Sequence, residues 1–211
     1  MAIGTAFRKV VTSAEELREL LGEPQERSRL KVIPALDEHC RAFIASSPFL
    51  LIGTANAVGQ CDVSPKGDDP GFVRVLDDRM LVIPDRPGNR RFDGFKNIIE
   101  NPHVGLLFLI PNVQETLRIN GRACIVRDEE LLVPMEARGK RPLFGVVVEV
   151  EEVFLHCPKA FIRSSLWDLA RVDAPRPVAS FARMLLDHTK IEGITEDELR
   201  RQQEEALKSQ L

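Results

Sequence analysis

Short apolar runs rich in β-forming residues and bounded by turn residues occupy much of the middle of the chain, which is the pattern of β-strands. Segment 116–126 (TLRINGRACIV) alternates between apolar and polar residues and predicts a strand with one buried face. Segment 104–110 (VGLLFLI) is continuously apolar and predicts a strand buried on both faces. Val58-Gly59 and Asp77-Asp78 each separate two such runs and predict hairpin turns. The runs with strand character are 49–57, 60–65, 72–76, 79–83, 104–110, 116–126 and 144–157.

Helical patterns precede and follow this region. Ser13 and Glu16 form a capping box, and the helix that they open is predicted to stop at Gly22. Thr195 and Glu198 form a second capping box near the end of the chain. The remaining helices are predicted between Pro34 and Pro48 and over 90–100, 129–137, 159–169 and 178–188.

Strands that do not alternate regularly with helices favour an α+β barrel, mostly antiparallel, over a doubly wound parallel sheet. We therefore predict a barrel domain over residues 46–170. A helical extension is expected on each side of it, over 1–45 and 171–211, within one compact domain.

Composition restricts the partners that the chain can have. The 211 residues carry a net charge of −3, so no global positive field is available to hold nucleic acid or an anionic membrane. An anionic ligand must instead be held by a local cluster of donors. Neither an apolar leader nor a run of 18 apolar residues is found, so we expect a soluble cytoplasmic protein.

Cysteine and histidine usage indicates neither a disulfide framework nor a metal centre. The four cysteines are far apart and include no C-x-x-C pair, so they are interpreted as reduced thiols in the core. The four histidines are too scattered to form a metal site.

The densest group of charged and turn-forming residues is Asp85-Arg86-Pro87-Gly88-Asn89-Arg90-Arg91. Two adjacent arginines at the start of the predicted helix 90–100 oppose the helix dipole unless an anion lies between them, and a phosphate would resolve that conflict. A solvated charged turn is the other interpretation, and local sequence alone favours it.

A second candidate is the end of strand 60–65, where Ser64 and Lys66 could offer a hydroxyl and an ammonium to a ligand. The same S-P-K-G sequence is also ordinary turn chemistry. Dinucleotide, Walker and G-x-S-x-G motifs do not occur in the sequence, which sets those enzyme classes aside.

In their order along the chain, residues 46–128 resemble the FMN-binding split-barrel family typified by pyridoxamine 5'-phosphate oxidase. The segments that carry the resemblance are SSPFLLIGTANAVGQCDVSPKGD, MLVIPDRPGNRR, ENPHVGLLFL and ETLRINGRA, with EEVFLHCPKAFIRSSLW resembling the closing strand and the element after it. The ENP-x-V-x-LLF and R-I-x-G-R-A patterns are the most specific. The resemblance implies a split β-barrel and a homodimer with FMN where two protomers meet.

The resemblance also assigns binding residues. It implies that Asn89, Arg90 and Arg91 bind the phosphate, which then becomes the favoured interpretation of the two arginines. The strand positions matched to the ribityl chain and the polar edge of the flavin are Val63, Ser64, Pro65 and Lys66. Ile83 and Pro84 match positions that line the flavin ring, and Thr116 matches a polar residue that contacts the cofactor. The region through which the second protomer closes the site matches His156, Lys159, Arg163 and Trp167.

The implied activity is hydride transfer through flavin N5, with catalytic residues left unassigned. The chain departs from the true oxidase because it has no tyrosine, and because Arg163, Ser165 and Trp167 stand where an Arg-x-His pair is expected. A divergent oxidoreductase with an unassigned substrate is therefore expected. Two alternatives stay open: a non-enzymatic flavin or haem carrier or sensor on the same barrel, and a deazaflavin-dependent reductase.

Overall fold

The computed structural model describes residues 7–172 and 177–210. Within them, seven strands form one antiparallel sheet in the order β2-β1-β5-β6-β7-β4-β3. The strands are β1 (Phe49–Ala55), β2 (Cys61–Gly67), β3 (Arg74–Val75), β4 (Met80–Pro84), β5 (His103–Leu109), β6 (Thr116–Val126) and β7 (Gly145–His156). With helices flanking this sheet, the predicted α+β split-barrel fold is confirmed.

The helices lie before, between and after the strands. They are α1 (Ala14–Leu21), α2 (Glu26–Leu30), α3 (Glu38–Ser46), α4 (Asp93–Glu100), α5 (Glu129–Leu132), α6 (Lys159–Ser164), α7 (Leu169–Val172), α8 (Phe181–Thr189) and α9 (Glu196–Gln210). A short 3₁₀ turn, Val133–Met135, follows α5 directly. The predicted helix 159–169 is divided into α6 and α7, because Ser165 has a left-handed backbone with φ of 49°.

The chain divides into a short unit, residues 1–33, and a larger unit, residues 34–211. In the short unit the predicted capping box is confirmed, since the Glu16 N–H donates to Ser13 Oγ at 3.1 Å and Glu16 reaches back to the Thr12 N–H at 3.3 Å. Helix α3 belongs to the larger unit and buries Cys40 and Ile44.

Alternation along the strands gives the sheet one fully buried face. On β5, Val104, Leu106 and Phe108 are buried and the residues between them are only partly covered. The expectation that this strand is buried on both faces was therefore wrong. It is β4 that is buried on both faces from Leu81 to Pro84.

A β-bulge interrupts the pairing of β6 with β7. Asn120 pairs with Glu152 and Gly121 pairs with Val150, which leaves Glu151 as the extra residue. The buried positions of β7 accordingly change from even to odd numbers across the bulge, from Val150 to Val153. Gly121 is required here, because a Cβ on it would lie 2.0 Å from the carbonyl oxygen of Glu149.

Helix α4 packs on β1, β2 and β6 and buries Ile98. Asn97 Nδ2 donates to the buried Thr54 Oγ1 at 3.0 Å and ties the helix to β1. The helix begins at Asp93 and not at Arg90 as predicted. Arg90 and Phe92 have positive φ angles of 60° and 58°, which a right-handed helix cannot accommodate.

At the end of the chain, α8 packs on α9. Ser180 caps α8 by accepting from the Arg183 N–H at 3.0 Å, and its hydroxyl donates to Glu196 at 2.6 Å. The predicted capping box of Thr195 and Glu198 is confirmed, with 3.3 Å between the Glu198 nitrogen and Thr195 Oγ1. Residues 173–176 and 211 of the predicted C-terminal extension lie outside the described residues.

The cysteines are free, but only Cys40 is buried, so the prediction of core thiols was wrong for Cys61, Cys124 and Cys157. Burial raises the pKa of the Cys40 thiol to about 11, which makes it unreactive at neutral pH. Among the described residues, no helix combines the length and the apolar character that crossing a membrane would need.

Candidate binding cavity

A cavity of about 680 Å³ opens beside helix α4. One wall is formed by inward-facing residues of β1 and β2, among them Ile52 and Ser64. The loop 85–92 and the first turns of α4 form the second wall, and residues 141–144 with Val146 form the third. This volume is in the range of small-molecule and cofactor sites.

The loop 85–92 brings Asn89, Arg90 and Arg91 to the mouth of the cavity. Asn89 Oδ1 accepts from the Arg91 N–H at 3.0 Å, and Arg91 Nε donates to Asp93 Oδ2 at 2.7 Å. The Arg90 side chain makes no hydrogen bond or ion pair with any residue in 7–172 or 177–210. An exposed guanidinium without an acid partner is thus available to an anion in the cavity.

Asp93 is the first residue of α4 and lies at the positive end of its dipole. The hydrogen bond from Arg91 is the largest influence on Asp93 and holds the pKa of its carboxyl below the usual value. Desolvation opposes this effect, and the charges of Arg91 and Lys96 add to it. Asp93 therefore stays ionised and competes with an incoming anion for Arg91, but not for Arg90.

On β2, residues alternate between the cavity and the outside. Ser64 and Lys66 line the cavity, whereas Val63 and Pro65 point to the opposite face, where Val63 is 63% exposed. Lys66 Nζ lies 3.3 Å from Asp85 Oδ1, and these side chains are only 22% and 20% exposed. Two of the four matched β2 positions therefore reach the cavity.

Aromatic side chains line the cavity beside the charged loop. The ring of Phe95 lies 5.9 Å from that of Phe92, and 5.9 Å from that of Phe144 in an edge-on contact. Lys66 Nζ lies 5.6 Å from the centre of the Phe95 ring. Leu143, at 73% exposure, extends the apolar surface. This aromatic wall (Phe92, Phe95 and Phe144) can cover the face of a planar ring.

Ile83 and Pro84, which match the ring-lining positions of the family, are buried in β4 and do not line the cavity. Ile83 is 1% exposed, and its strand leads directly into Asp85, where the cavity begins. Ile83 pairs with Val146, which does line the cavity, so β4 lies next to the cavity without contributing these two side chains to it.

The other matched residues lie at the opposite end of the β6–β7 pair. Thr116 pairs with His156 at one end, whereas Val126 pairs with Gly145 at the end next to the cavity. Trp167 Nε1 donates to the Val113 carbonyl at 2.9 Å. Thr116 is buried, and no residue of this far group lines the cavity, the group being Thr116, His156, Lys159, Arg163 and Trp167.

Of the five cationic side chains that line the cavity, four have acidic partners. These pairs are Lys66 with Asp85, Arg86 with Asp68, Arg91 with Asp93 and Arg141 with Glu129. Arg90 is the exception among the described residues. Within the described part of the chain, the cavity thus has one free cation at its mouth and an aromatic wall beside it.

Several lining residues were not predicted from the sequence. Asp85 and Arg86 belong to the same charged run as Arg90, so their position was available, but their partners were not. Phe144 and Arg141 come from a segment about fifty residues further along the chain, and only the folded structure brings them to the cavity. Phe92 and Phe95 lie within four residues of Arg91, so their closeness in the sequence was the available signal.

Comparison with known proteins gives one family. The family model described as pyridoxamine 5'-phosphate oxidase matches residues 36–157, which is more than half of the chain and contains most of the cavity. The chain belongs to the pyridoxamine 5'-phosphate oxidase family. Among curated proteins no match was found.

Solved structures provide distant relatives. HupZ of Group A Streptococcus is 19% identical, and the match covers 57% of this chain and 93% of that one with a TM-score of 0.47. A putative pyridoxamine 5'-phosphate oxidase of Lactobacillus delbrueckii is 22% identical over 58% of this chain and 99% of that one, with a TM-score of 0.43. An FMN-binding protein of Syntrophomonas wolfei is 9% identical over 68% and 96%, with a TM-score of 0.43. The family assignment depends on the sequence match and not on these superpositions.

Proposed function

We propose that this protein is an FMN-dependent oxidoreductase that acts on a small molecule. The observation that carries the proposal is the Arg90 guanidinium, which has no partner among the described residues and lies between Asn89 and Arg91 at the mouth of a cavity with an aromatic wall. A planar ring with a dianionic tail needs this combination of an apolar surface and a local cation in a protein whose net charge is negative.

The residues present fit FMN. Arg90, the Nη groups of Arg91 and the Asn89 side-chain amide would hold the phosphate. Ser64 and Lys66 would donate to the ribityl chain and the polar edge of the flavin, and the aromatic wall would cover the ring. When bound, FMN supplies hydride chemistry at N5, while the chain supplies position and electrostatics.

We also propose that the protein is a homodimer and that the far group completes the partner's cavity. The far group lies at the opposite end of the β6–β7 pair from Phe144 and Val146. If these residues contact the same cofactor as Arg90, a second protomer must supply them. A symmetric dimer would make two such composite sites.

The true oxidase activity is not part of this proposal. The chain has no tyrosine, and Lys66 is already paired with Asp85 inside the cavity. With Lys66 neutralised in this way, the described lining of one protomer's cavity has no free cation besides Arg90 for the phosphate of a substrate.

The test replaces Arg90 and Arg91 together with alanine. Loss of two charge-assisted contacts should weaken FMN binding roughly 100-fold or more, because each such contact contributes about 1.5–3 kcal/mol. The matched control replaces Arg200 and Arg201, an adjacent exposed pair on α9 that does not line the cavity. Isothermal titration of the ligand-free protein measures the binding. Unchanged FMN affinity in the Arg90 and Arg91 variant would refute the proposed site.

A second measurement identifies the cofactor and the activity. The purified protein is denatured and the released small molecule is identified by mass and by absorbance. FMN supports the proposal, whereas haem or a deazaflavin would replace the cofactor assignment. Anaerobic addition of NADH or NADPH should then abolish the visible absorbance of the bound flavin. Flavin that stays oxidised with these donors and with candidate amines would favour a carrier.

A further inference from the structure

The loop that carries Arg90 has few attachments to the rest of the protein. Asp85, at its start, donates its N–H to the Phe144 carbonyl at 2.9 Å. From residue 86 to residue 91, no main-chain group bonds to the main chain of another part of the described chain. Arg90 and Phe92 both have left-handed backbones. A loop of this kind needs side-chain contacts to hold one conformation.

Arg86 provides such contacts. Its Nε donates to Asp68 Oδ2 at 2.6 Å and its Nη1 donates to the Met135 carbonyl at 2.8 Å. These groups belong to two separate places, the residue after β2 and the 3₁₀ turn after α5. The planar guanidinium of Arg86 thus connects the loop to both of these places.

Asp68 is a buried carboxylate that accepts three hydrogen bonds. Its side chain is 3% exposed, and besides Arg86 it accepts from Arg138 Nη1 at 2.8 Å and from the Asp69 N–H at 2.9 Å. Arg138 is 49% exposed and approaches Asp68 through the other carboxylate oxygen. Arg138 therefore contacts Asp68 beside Arg86, but it does not itself connect Asp68 to the loop.

We infer that Arg86, held by Asp68, is a positioning residue that fixes Asn89, Arg90 and Arg91 for an anionic tail and is not itself a ligand of that tail. The inference rests on the proposed function, because it assumes that the loop receives the phosphate. Although Arg86 lines the cavity, two of its nitrogens are committed to Asp68 and Met135. The role differs from that of Arg90, which has no such partners.

The test compares FMN with riboflavin, which lacks the phosphate. Asp68→Asn and Arg86→Lys each disrupt the contact between Asp68 and Arg86. Asn lacks the negative charge, and Lys lacks the guanidinium fork that reaches both Asp68 and the Met135 carbonyl. Both variants should lose at least tenfold in affinity for FMN and keep riboflavin affinity within twofold. Arg138→Ala is the matched control and should keep both affinities within twofold. Circular dichroism and gel filtration confirm that each variant is folded.

The results separate the two proposals. If the unmodified protein binds FMN no better than riboflavin, the proposed phosphate site fails and the positioning role fails with it. If the unmodified protein prefers FMN to riboflavin and both the Asp68→Asn and the Arg86→Lys variants keep that preference, only the positioning role is overturned. Equal losses for both ligands would also overturn it, because they would indicate a general structural role. If Asp68→Asn does not fold, Arg86→Lys, which keeps the positive charge, decides the question.

Discussion

Gly121 leaves no room for a side chain between β6 and β7. The β-bulge at Glu151 brings the Glu149 carbonyl to the place where a Cβ of residue 121 would stand, at 2.0 Å. The obstacle is main chain, so no rotamer change can relieve it. Because Gly121 has no side chain, the bulge can form at this position. The bulge in turn changes which residues of β7 face the core.

Gly121→Ala should therefore destabilise the protein by about 3 kcal/mol or more, since overpacking against backbone cannot relax through side chains. The measurement is the free energy of unfolding from urea denaturation. Gly53→Ala on β1 is the control, because a Cβ there meets only the Gly105 carbonyl at 3.7 Å. Equal stability of the two variants would contradict the steric explanation.

Asp68 is a second residue whose environment has a measurable consequence. Burial opposes its ionisation, but the hydrogen bonds from the Asp69 N–H, Arg86 and Arg138 outweigh that effect and hold the pKa of Asp68 below its usual value of 3.8. A lowered pKa means that the folded state binds this proton less tightly than the unfolded state does. The stabilisation is then present above the unfolded pKa and is lost as pH falls through the folded pKa.

Asp68→Asn should lower the free energy of unfolding by roughly 3 kcal/mol at pH 7, because it leaves buried charge without its partner. The difference from the unmodified protein should stay constant from about pH 8 to pH 5. It should shrink below about pH 4, where the unfolded state begins to bind the proton, and vanish below the lowered pKa of the folded state. Urea denaturation across this pH range measures it. A difference that grew as the pH fell would show that the sign is wrong.

Among the elements, α4 determines the shape of the cavity most directly. Its first residues line the cavity, Ile98 anchors it in the core, and Asn97 bonds to the buried Thr54. The spacing of the sequence predicted a helix ending at Glu100 correctly. Its start was predicted three residues too early, because left-handed conformations of arginine and phenylalanine carry no local sequence signal.

Asn97→Ala should destabilise the protein by about 1–2 kcal/mol, since it removes a hydrogen bond and leaves the Thr54 hydroxyl buried without that donor. Thermal unfolding followed by circular dichroism gives the change. Adding Thr54→Val removes the stranded hydroxyl as well, so the double variant should be no less stable than Asn97→Ala alone. A further loss of similar size in the double variant would mean that the two side chains act independently.

For the whole molecule, the main question is whether one protomer or two form the site. The cavity and the far group lie at opposite ends of the β6–β7 pair. Arg90 and Trp167 would therefore act on the same cofactor only across a dimer. This arrangement predicts that two variants, each unable to bind FMN alone, restore FMN binding when their protomers form mixed dimers.

Protomers carrying Arg90→Ala with Arg91→Ala and protomers carrying Trp167→Ala should each retain little FMN alone. Random pairing in an equal mixture should restore roughly one site in four, because each mixed dimer has one doubly altered and one unaltered site. Flavin content per protomer after co-expression measures this, and light scattering gives the oligomeric state. Flavin content that stays at the level of the separate variants would place both residues in one protomer's site or exclude Trp167 from it.

The sequence by itself determined the order of the strands and helices, the two capping boxes and the family, because these depend on contacts between residues close along the chain and on ordered local patterns. It also led to the prediction, through the family resemblance, that Asn89, Arg90 and Arg91 bind an anion. Only the tertiary structure decided which cation of the cavity stays without an acidic partner among residues 7–172 and 177–210. Asp85, Asp68, Asp93 and Glu129 neutralise the other cations of the cavity. The pairs Lys66–Asp85 and Arg86–Asp68 join residues 19 and 18 positions apart, whereas Arg91 and Asp93 are only 2 apart. Ion pairs made by long side chains across a fold have no sequence periodicity, so their pairing is fixed only when the backbone has brought them together.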